Sequence, residues 1–593
     1  MDRISWLGVI ACVIALLIYY PAMQHLYPPK ERSIPAQTQP KDAVGTTSHP
    51  SSHPAQPQEA NRQAAGPFID PNQQALKLQP DLPQEQLVSL ENKWARILFT
   101  NHGGAIRHIE LKEHKLDHSQ LVVLNRGTPE PALNLTGWDA AYDLAGYTLA
   151  WQRESAVSFE RTLENGCKLT RTYTLGENYQ LHLQQTVDNK TDQTCTFPSY
   201  NLLVGVGEGP YSQPNERRYL SGSWYTEGGK YISHKIAEFD SGSFLFIFPK
   251  AGRSFITSNR SHDESQLIRW AAASSQFFTQ ILSSTQEAGT QVDLRKLALP
   301  ELSEKNRYLP DGVETRLQMP GFALAPSQSK SMEWTYYAGP KQDAILRAMP
   351  FEQDRVMEFG WLGFIARPLL TLMNAIHRFV PNYGVAIILI TLMIKLILWY
   401  PQASATRNMK QMQALSPRLR ELQAKHKQDP MKLQQEMMKL YKEYGVNPLG
   451  GCLPLLIQLP IFISFYYMLT SAIELRHAPF LWIHDLSKPD TIARIPLGSW
   501  QFPINPMPLL MTAAMFWSMR LSPQPEGVDN ANQKILKWMP AIMLFFCYGL
   551  SSALSLYWTM QNLLSVAQMY YNLRQPLPAL KRIVQNVRRK SRK

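Results

Sequence analysis

Residues 385–400 read VAIILITLMIKLILWY: fourteen apolar side chains, Thr391 and one lysine, Lys395. Such a run is built for hydrocarbon, and an ammonium placed there costs about 2.5–3.5 kcal/mol even on lenient insertion scales. Two arrangements offset that cost. Either Lys395, five residues before Tyr400, snorkels to the interface along its aliphatic stem, or it lines a polar cavity that exists for a purpose.

The rest of the chain has the layout of a membrane protein with a large water-exposed part. Residues 4–20 form a first apolar stretch. It resembles a signal peptide, but Tyr19-Tyr20-Pro21-Ala22-Met23 offers no small-x-small cleavage site, so an uncleaved anchor over residues 1–27 is expected. Residues 28–80 hold ten prolines among Gln, Ser, Ala and His, a composition that cannot bury enough apolar surface to fold; residues 28–81 read as a disordered tether. From about Leu82 the pattern changes to short alternating strands broken by Gly, Pro and Asn. Residues 94–112 predict a hairpin about His102-Gly103-Gly104. Residues 167–175 and 179–187 alternate on either side of Gly176-Glu177-Asn178 and predict another. Residues 82–340 therefore read as a large β-sandwich. A short linking helix over residues 341–349 follows. Residues 351–380 then mix Trp361, Phe364, Leu369, Leu372, Ile376 and Phe379 with Arg355, Arg367 and Arg378, the pattern of an amphipathic helix on a membrane surface.

Beyond residue 380 the apolar runs predict spans at about 384–400, 449–469, 503–519, 535–549 and 551–571, with Gly549 breaking the last pair and Pro540 kinking its first member. Residues 402–447 carry nine Lys/Arg against four acids, and the tail over residues 574–593 carries eight and no acid. The positive-inside rule puts both in the cytoplasm. An even number of spans must then separate them, so the N-terminus is cytoplasmic, the β domain faces the other side, and six spans result. Within residues 402–447, Met409, Met412, Leu415, Leu419 and Leu422 follow helical spacing, and Leu433, Met437, Leu440, Tyr441 and Tyr444 answer them. An antiparallel helical hairpin with basic outer faces is expected, suited equally to lipid head groups or nucleic acid.

Catalytic constellations are missing from the sequence. There is no G-x-x-x-x-G-K-[ST] and no H-E-x-x-H. Ser551 or Ser552 paired with Lys395 would make an intramembrane hydrolase, though serines at span ends usually serve turns. His477 and His484 lack metal-ligand spacing. Of the five cysteines, Cys12, Cys452 and Cys547 lie in apolar segments, and Cys167 and Cys195 in the β domain, where a disulfide between them is left open. Gln458, Gln561, Asn562 and Gln568 fall inside predicted spans. Singly, each suits an interhelical hydrogen bond; together with Thr391 and Lys395 they favour a polar groove.

The run Asn447-Pro448-Leu449-Gly450-Gly451-Cys452-Leu453-Pro454-Leu455-Leu456-Ile457-Gln458-Leu459-Pro460-Ile461-Phe462 closely resembles the signature of YidC-type membrane protein insertases. Phe359-Gly360-Trp361-Leu362, Glu474-Leu475-Arg476 and Trp482-Ile483-His484-Asp485-Leu486 agree with it. The resemblance covers nearly the whole chain and is strongest over residues 359–571. It implies a polytopic α-helical membrane protein of the Gram-negative form, with a five-helix insertase core over residues 381–573 and a periplasmic super-sandwich similar to sugar-mutarotase folds. It implies an inner-membrane insertase and chaperone, acting alone or with the Sec translocon, with no catalytic residue, metal or cofactor. The groove it implies would be lined by Lys395, Thr391, Gln458, Tyr557, Trp558, Gln561 and Asn562. The hydrophobic slide would use Phe465, Met468, Met543 and Phe545. Nascent membrane proteins, lipids, Sec components and the ribosome (through the hairpin and basic tail) are the implied partners of a protein working as a monomer. This chain departs from the family pattern in two ways. Lysine stands where arginine is usual, keeping the charge without the bidentate fork, and one extra residue precedes Pro401. The competing reading is a small-solute or ion transporter with Lys395 as its substrate site; inverted repeats would favour it, and none is evident. A sugar-active enzyme in the β domain would need a carboxylate pair, and Glu208 and Asp240 form no recognisable one.

Overall fold

Strand Lys168–Leu175 pairs antiparallel with Gln180–Asp188, Leu175 opposite Leu181, and Asn178 in the turn takes φ +55°. Leu169, Tyr173, Tyr179, Leu181, Leu183 and Val187 are all buried, the period-two face expected of a half-buried strand pair. In the computed structural model this hairpin belongs to an antiparallel sheet of nine strands, in the order Tyr231–Lys235, Ser221–Thr226, Ile268–Ser274, Phe278–Ser284, Ser329–Pro340, Gln180–Asp188, Lys168–Leu175, Ala156–Thr162, Thr148–Gln152. A five-stranded sheet (Phe255–Thr257, Gln291–Ala298, Asp311–Met319, Tyr200–Gly207, Leu135–Thr136) packs against it, and four strands from Leu87 to Leu124 form a third sheet. The structure describes residues 79, 82–116, 120–138, 143–208, 214–240, 242–244, 248–250, 252–258, 266–299, 311–426, 429–447, 453–497, 500–521 and 530–575. The expected anchor, almost all of the tether, the tail beyond residue 575, Cys12, Cys452 and the centre of the signature run lie outside the described residues.

The second expected hairpin is present, with Ala95–Thr100 paired to Ala105–Lys115. Its turn uses Gly103 and Gly104 at φ +77° and +52°, and a Cβ on Gly103 would sit 2.4 Å from Asn134 Oδ1. The crowding serves a buried cation. Arg171, on the inward face beside Tyr173, is fully buried and donates from Nη1 to the Gly103 and Gly104 carbonyls at 2.8 and 3.2 Å, so turn oxygens replace the water it gave up.

A second buried charge group joins the five-stranded sheet to the loop before it. Arg316 donates through Nε to Glu314 Oε1 at 2.6 Å and forks onto Glu130, while Arg295 reaches Glu314 Oε2 at 2.6 Å. Glu130, Glu314 and Arg316 are 2, 2 and 7 % exposed.

Glu208 and Asp240 are not a pair. Asp240 accepts from Arg217 at 2.6 Å and Lys296 at 3.0 Å. Glu208 is buried and accepts the Arg126 N–H at 2.8 Å. Burial pushes the Glu208 carboxyl up to about 8, outweighing the backbone N–H groups of Arg126 and Asn125. A carboxyl whose folded pKa exceeds its unfolded one stabilises fully at acid pH, and that contribution is lost as pH rises through the folded value. Stability should therefore decline between about pH 4.5 and pH 8 by up to about 5 kcal/mol. Glu208→Gln should flatten this slope, with the two curves of thermal midpoint against pH converging below about pH 4.5; parallel curves would contradict the assignment.

The apolar core continues from the sandwich through Leu346, Met349, Val356, Met357 and Phe359 into the helical half. At the seam Gln276 Nε2 donates to Thr470 O at 2.9 Å and Arg476 Nη2 to Leu116 O at 3.4 Å. The linking helix is α1 (Asp343–Ala348). The expected surface helix begins later than predicted, as α2 (Gly363–Phe379). Residues before it form two short turns, because Glu352 and Glu358 take left-handed φ of 51° and 53°, which a right-handed helix cannot pass through. Leu369, Leu370 and Met373 of α2 face the core; Phe364 and Phe379 face outward, as does Trp361 just before it.

The first core span is shorter than residues 384–400. α3 (Tyr383–Ile397) ends there and α4 (Trp399–Lys425) leaves at 60°. Pro401 has no N–H to offer Ile397 O, so the helical hydrogen-bond ladder is interrupted at this point. The hairpin accordingly starts before residue 402. α4 packs on α5 (Pro430–Tyr444) through Met412, Leu415, Leu419, Tyr441 and Tyr444, the stripes read from the sequence. α6 (Leu453–Ser471) is the next apolar helix. The span predicted from residue 503 begins instead with a β-hairpin, Ala493–Leu497 against Trp500–Ile504, and α7 covers Pro506–Leu521. α8 (Asn530–Cys547) and α9 (Ser552–Arg574) part at Gly549 as expected, with Pro540 inside α8. Among the described residues no single helix is long and apolar enough to cross a membrane on its own; α3 and α4 qualify only as a bent pair.

Candidate functional site

α9 carries Tyr557, Gln561, Ser565, Gln568 and Asn572 at spacings of four, four, three and four, so all five lie along one helix face over about 22 Å. Side chains of α3, α4 and α6 reach this face. Gln458 of α6 donates from Nε2 to Tyr557 Oη at 3.2 Å, and Gln561 Nε2 donates to Gln458 Oε1 at 2.9 Å. Ser565 donates to Gln561 O at 2.8 Å, and Lys395 Nζ donates to Ser565 Oγ at 2.8 Å. Gln568 Nε2 reaches Trp399 O at 3.3 Å, across the break between α3 and α4. Lys410 of α4 donates to Asn572 O and, at 3.1 Å, to Gln575 O, a cation on the carbonyl end of α9 where the helix dipole favours it. The result is a polar ladder with a buried lysine at its middle and another at its end.

Lys395 is 3 % exposed, so it does not snorkel. Among the described residues its ammonium has one hydrogen-bond partner, the Ser565 hydroxyl, and no carboxylate partner. An ammonium offers three donors; a single hydrogen bond to a charged group, worth about 1.5–3 kcal/mol, only just matches the insertion cost of the charge.

Of the residues predicted for a groove, Lys395, Gln458, Tyr557 and Gln561 come together in this ladder. Thr391 lies one turn above Lys395, buried, its hydroxyl returned to Ile387 O at 2.6 Å. Asn562 turns aside to Trp558 O at 2.8 Å, and Trp558 packs on Phe462 with ring centroids 4.3 Å apart. Neither joins the ladder. Ser565, Asn572 and Lys410 were missed. The four-residue steps from Gln561 would have found Ser565; nothing local marks Lys410, which sits among other lysines of a basic hairpin. The serine-hydrolase pairing does not form, since Ser552 Oγ donates to Asp485 O at 3.2 Å while Lys395 is on Ser565.

The predicted slide residues divide. Phe545 is exposed and Met543 half-buried. Phe465 and Met468 are fully buried, Phe465 stacked on Tyr557 at 4.0 Å between centroids, so they do not face outward as expected. α6 has apolar side chains on every side and no continuous polar stripe, and its packing against α2 and α9 decides which side turns in.

Sequence comparison accounts for both halves. Residues 87–372 match the model of the YidC periplasmic domain and residues 375–577 that of the 60Kd inner membrane protein. A membrane protein insertase YidC from Janthinobacterium sp. (strain Marseille) is 30% identical over 506 residues, 82% of this chain and 84% of that one. The chain belongs to the YidC family of membrane protein insertases. Another YidC, from Pelobacter propionicus, is 28% identical over 554 residues, covering 88% of this chain and 94% of its own. A solved YidC insertase with its first transmembrane domain resolved aligns with 83% of this chain and 93% of its own, at 18% identity and a TM-score of 0.33. The β-rich half is thus the YidC periplasmic domain, and the helices after it are the family's inner-membrane part.

Proposed function

We infer that the ladder on α9 is the wall of a hydrophilic groove and that Lys395 is the electrostatic receptor for the polar or acidic flank of an inserting segment. The observation that carries this is the buried Lys395 ammonium, held by one neutral hydroxyl. A client carboxylate replaces that hydroxyl at the loss of a single hydrogen bond and brings the opposite charge into a low-dielectric site. The apolar segment behind the flank leaves along the outward side of the helices, past Phe545 and Met543, and its burial in lipid supplies the driving force at about 25 cal/mol per Å². No nucleotide is needed. The protein works in the inner membrane with six spans and both termini cytoplasmic, the anchor at residues 1–27 and the tether at residues 28–81 leading to the periplasmic domain. The α4–α5 hairpin and basic tail meet the ribosome, and the same core assists folding beside the Sec translocon.

Depletion of the protein tests the reading. Membranes lacking it should fail to insert a small single-span protein of the phage-coat kind, and adding back the full chain in vesicles should restore protease protection. Unimpaired insertion after depletion contradicts it.

A further inference from the structure

We propose that Cys167 and Cys195 are joined by a disulfide in the periplasmic domain. Cys167 closes the turn that leads into strand Lys168–Leu175 of the nine-stranded sheet. Cys195 opens strand Cys195–Phe197, which pairs with Phe322–Leu324 in a separate two-stranded sheet. Their sulfurs lie 2.6 Å apart, close to the roughly 2.05 Å of a sulfur–sulfur bond and inside the contact distance of two unbonded sulfurs.

Each backbone is fixed without help from its sulfur. The Cys167 N–H donates to Asn165 Oδ1 at 3.1 Å, and its carbonyl accepts from Leu163 N–H at 2.9 Å. Cys195 stands opposite Leu324 in the small sheet. The loop between them is organised by Asn189, whose amide donates to Gln193 O, Leu324 O and Ala325 O at 2.8, 3.0 and 3.1 Å. Two independently held segments thus deliver two thiols to one point, and both are buried, at 0 and 6 % exposure. A metal site is not the reason, since among the described residues no three ligating side chains gather. The family places this domain in the periplasm, an oxidising compartment.

The chemistry is dithiol–disulfide exchange with a periplasmic thiol oxidoreductase in its disulfide form. One cysteine thiolate attacks the oxidant's disulfide, forming a mixed disulfide and releasing one oxidant thiol. The second thiolate attacks the mixed bond, forming Cys167–Cys195 and releasing the other. Two electrons pass to the oxidant and the two cysteine protons end on its thiols. Because both sulfurs are inaccessible in the folded domain, exchange occurs on the folding chain, before strand Cys195–Phe197 docks. The bond spans 28 positions and anchors a strand that has only three pairings of its own. That strand carries Phe197, stacked on Phe322 at 4.9 Å and packed on Trp138 at 5.0 Å between centroids, so the link holds an aromatic cluster between the small sheet and the sandwich.

The test uses the full chain expressed in a Gram-negative inner membrane, acid-quenched, denatured, treated with N-ethylmaleimide and digested for mass spectrometry. The peptides holding Cys167 and Cys195 are expected as one linked, unlabelled species, separating and labelling only after reduction. In a host lacking its periplasmic thiol oxidase both should label directly. Cys167→Ala should leave Cys195 labelled and lower the thermal midpoint by roughly 5–10 °C. Two labelled peptides without reduction in the oxidising host, or linkage of either cysteine to any other, overturns the proposal, and this readout on the unaltered chain holds even if a variant fails to fold.

Discussion

Lys395→Ala is expected to reduce insertion of a client with an acidic flank by about 10- to 100-fold, the value of one charge-assisted hydrogen bond, while a client with a neutral flank loses about two-fold or less. Lys395→Arg should restore both, because the charge is what the flank meets, and Lys395→Glu should be worse than alanine. The measure is the protease-protected fraction of each client in vesicles containing only the purified variant. Stability separates this from a structural role. Removing a buried cation whose partner is a neutral hydroxyl strands no opposite charge, so the alanine variant should unfold at the same temperature as the parent or slightly above it. Equal loss on acidic and neutral clients, or a lowered thermal midpoint, counts against the electrostatic receptor.

Arg316→Met should have the largest effect on stability. It leaves Glu130 and Glu314, each 2 % exposed, without the guanidinium that bridges them, and breaking a buried pair from one side costs about 3–5 kcal/mol. Burial alone would raise the Glu314 carboxyl; the Arg316 and Arg295 guanidiniums outweigh it and hold the group below its usual value. A depressed carboxylate contributes its stability above the unfolded pKa and loses it as pH falls through the folded one. The deficit of Arg316→Met should accordingly be widest at neutral pH and shrink below about pH 4.5, where Glu314 protonates in the variant and in the unfolded chain. Replacing Glu130 by leucine in the same variant should recover part of the loss, because Glu314 keeps Arg295 as its partner. Thermal midpoints of the full chain in detergent at pH 7 and near pH 3 decide the point, and a pH-independent deficit contradicts it.

What could be read in advance followed local rules. The strands around Asn178, the turn at Gly103 and Gly104, the seam of the α4–α5 hairpin and the break at Gly549 each have a periodic or turn signal within a few residues. The misplaced features do not. Pro503-Ile504 reads as the start of a span but belongs to a strand paired with residues 493–497, because apolar runs suit strand and helix alike. Glu352 and Glu358 take left-handed backbone without a glycine to announce it. Phe465 and Met468 sit on a helix with no continuous polar stripe, so tertiary packing decides their direction. At the candidate site, Lys395 was conspicuous by its cost, whereas Ser565 is an ordinary helical serine until the lysine is seen to reach it. Arg316 and Glu130 stand 186 positions apart, beyond any local pattern.

The central claim is that a passing polypeptide meets the ladder beside Lys395. A photo-crosslinking residue at position 561, next to Ser565, and another at position 545 on the outer side of α8, give the most direct test. With an acidic-flanked client stalled during synthesis, position 561 should crosslink the flank and position 545 the apolar segment. Lys395→Ala should remove the first adduct and leave the second. A flank that never reaches position 561, or that reaches it equally well without the lysine, contradicts the account.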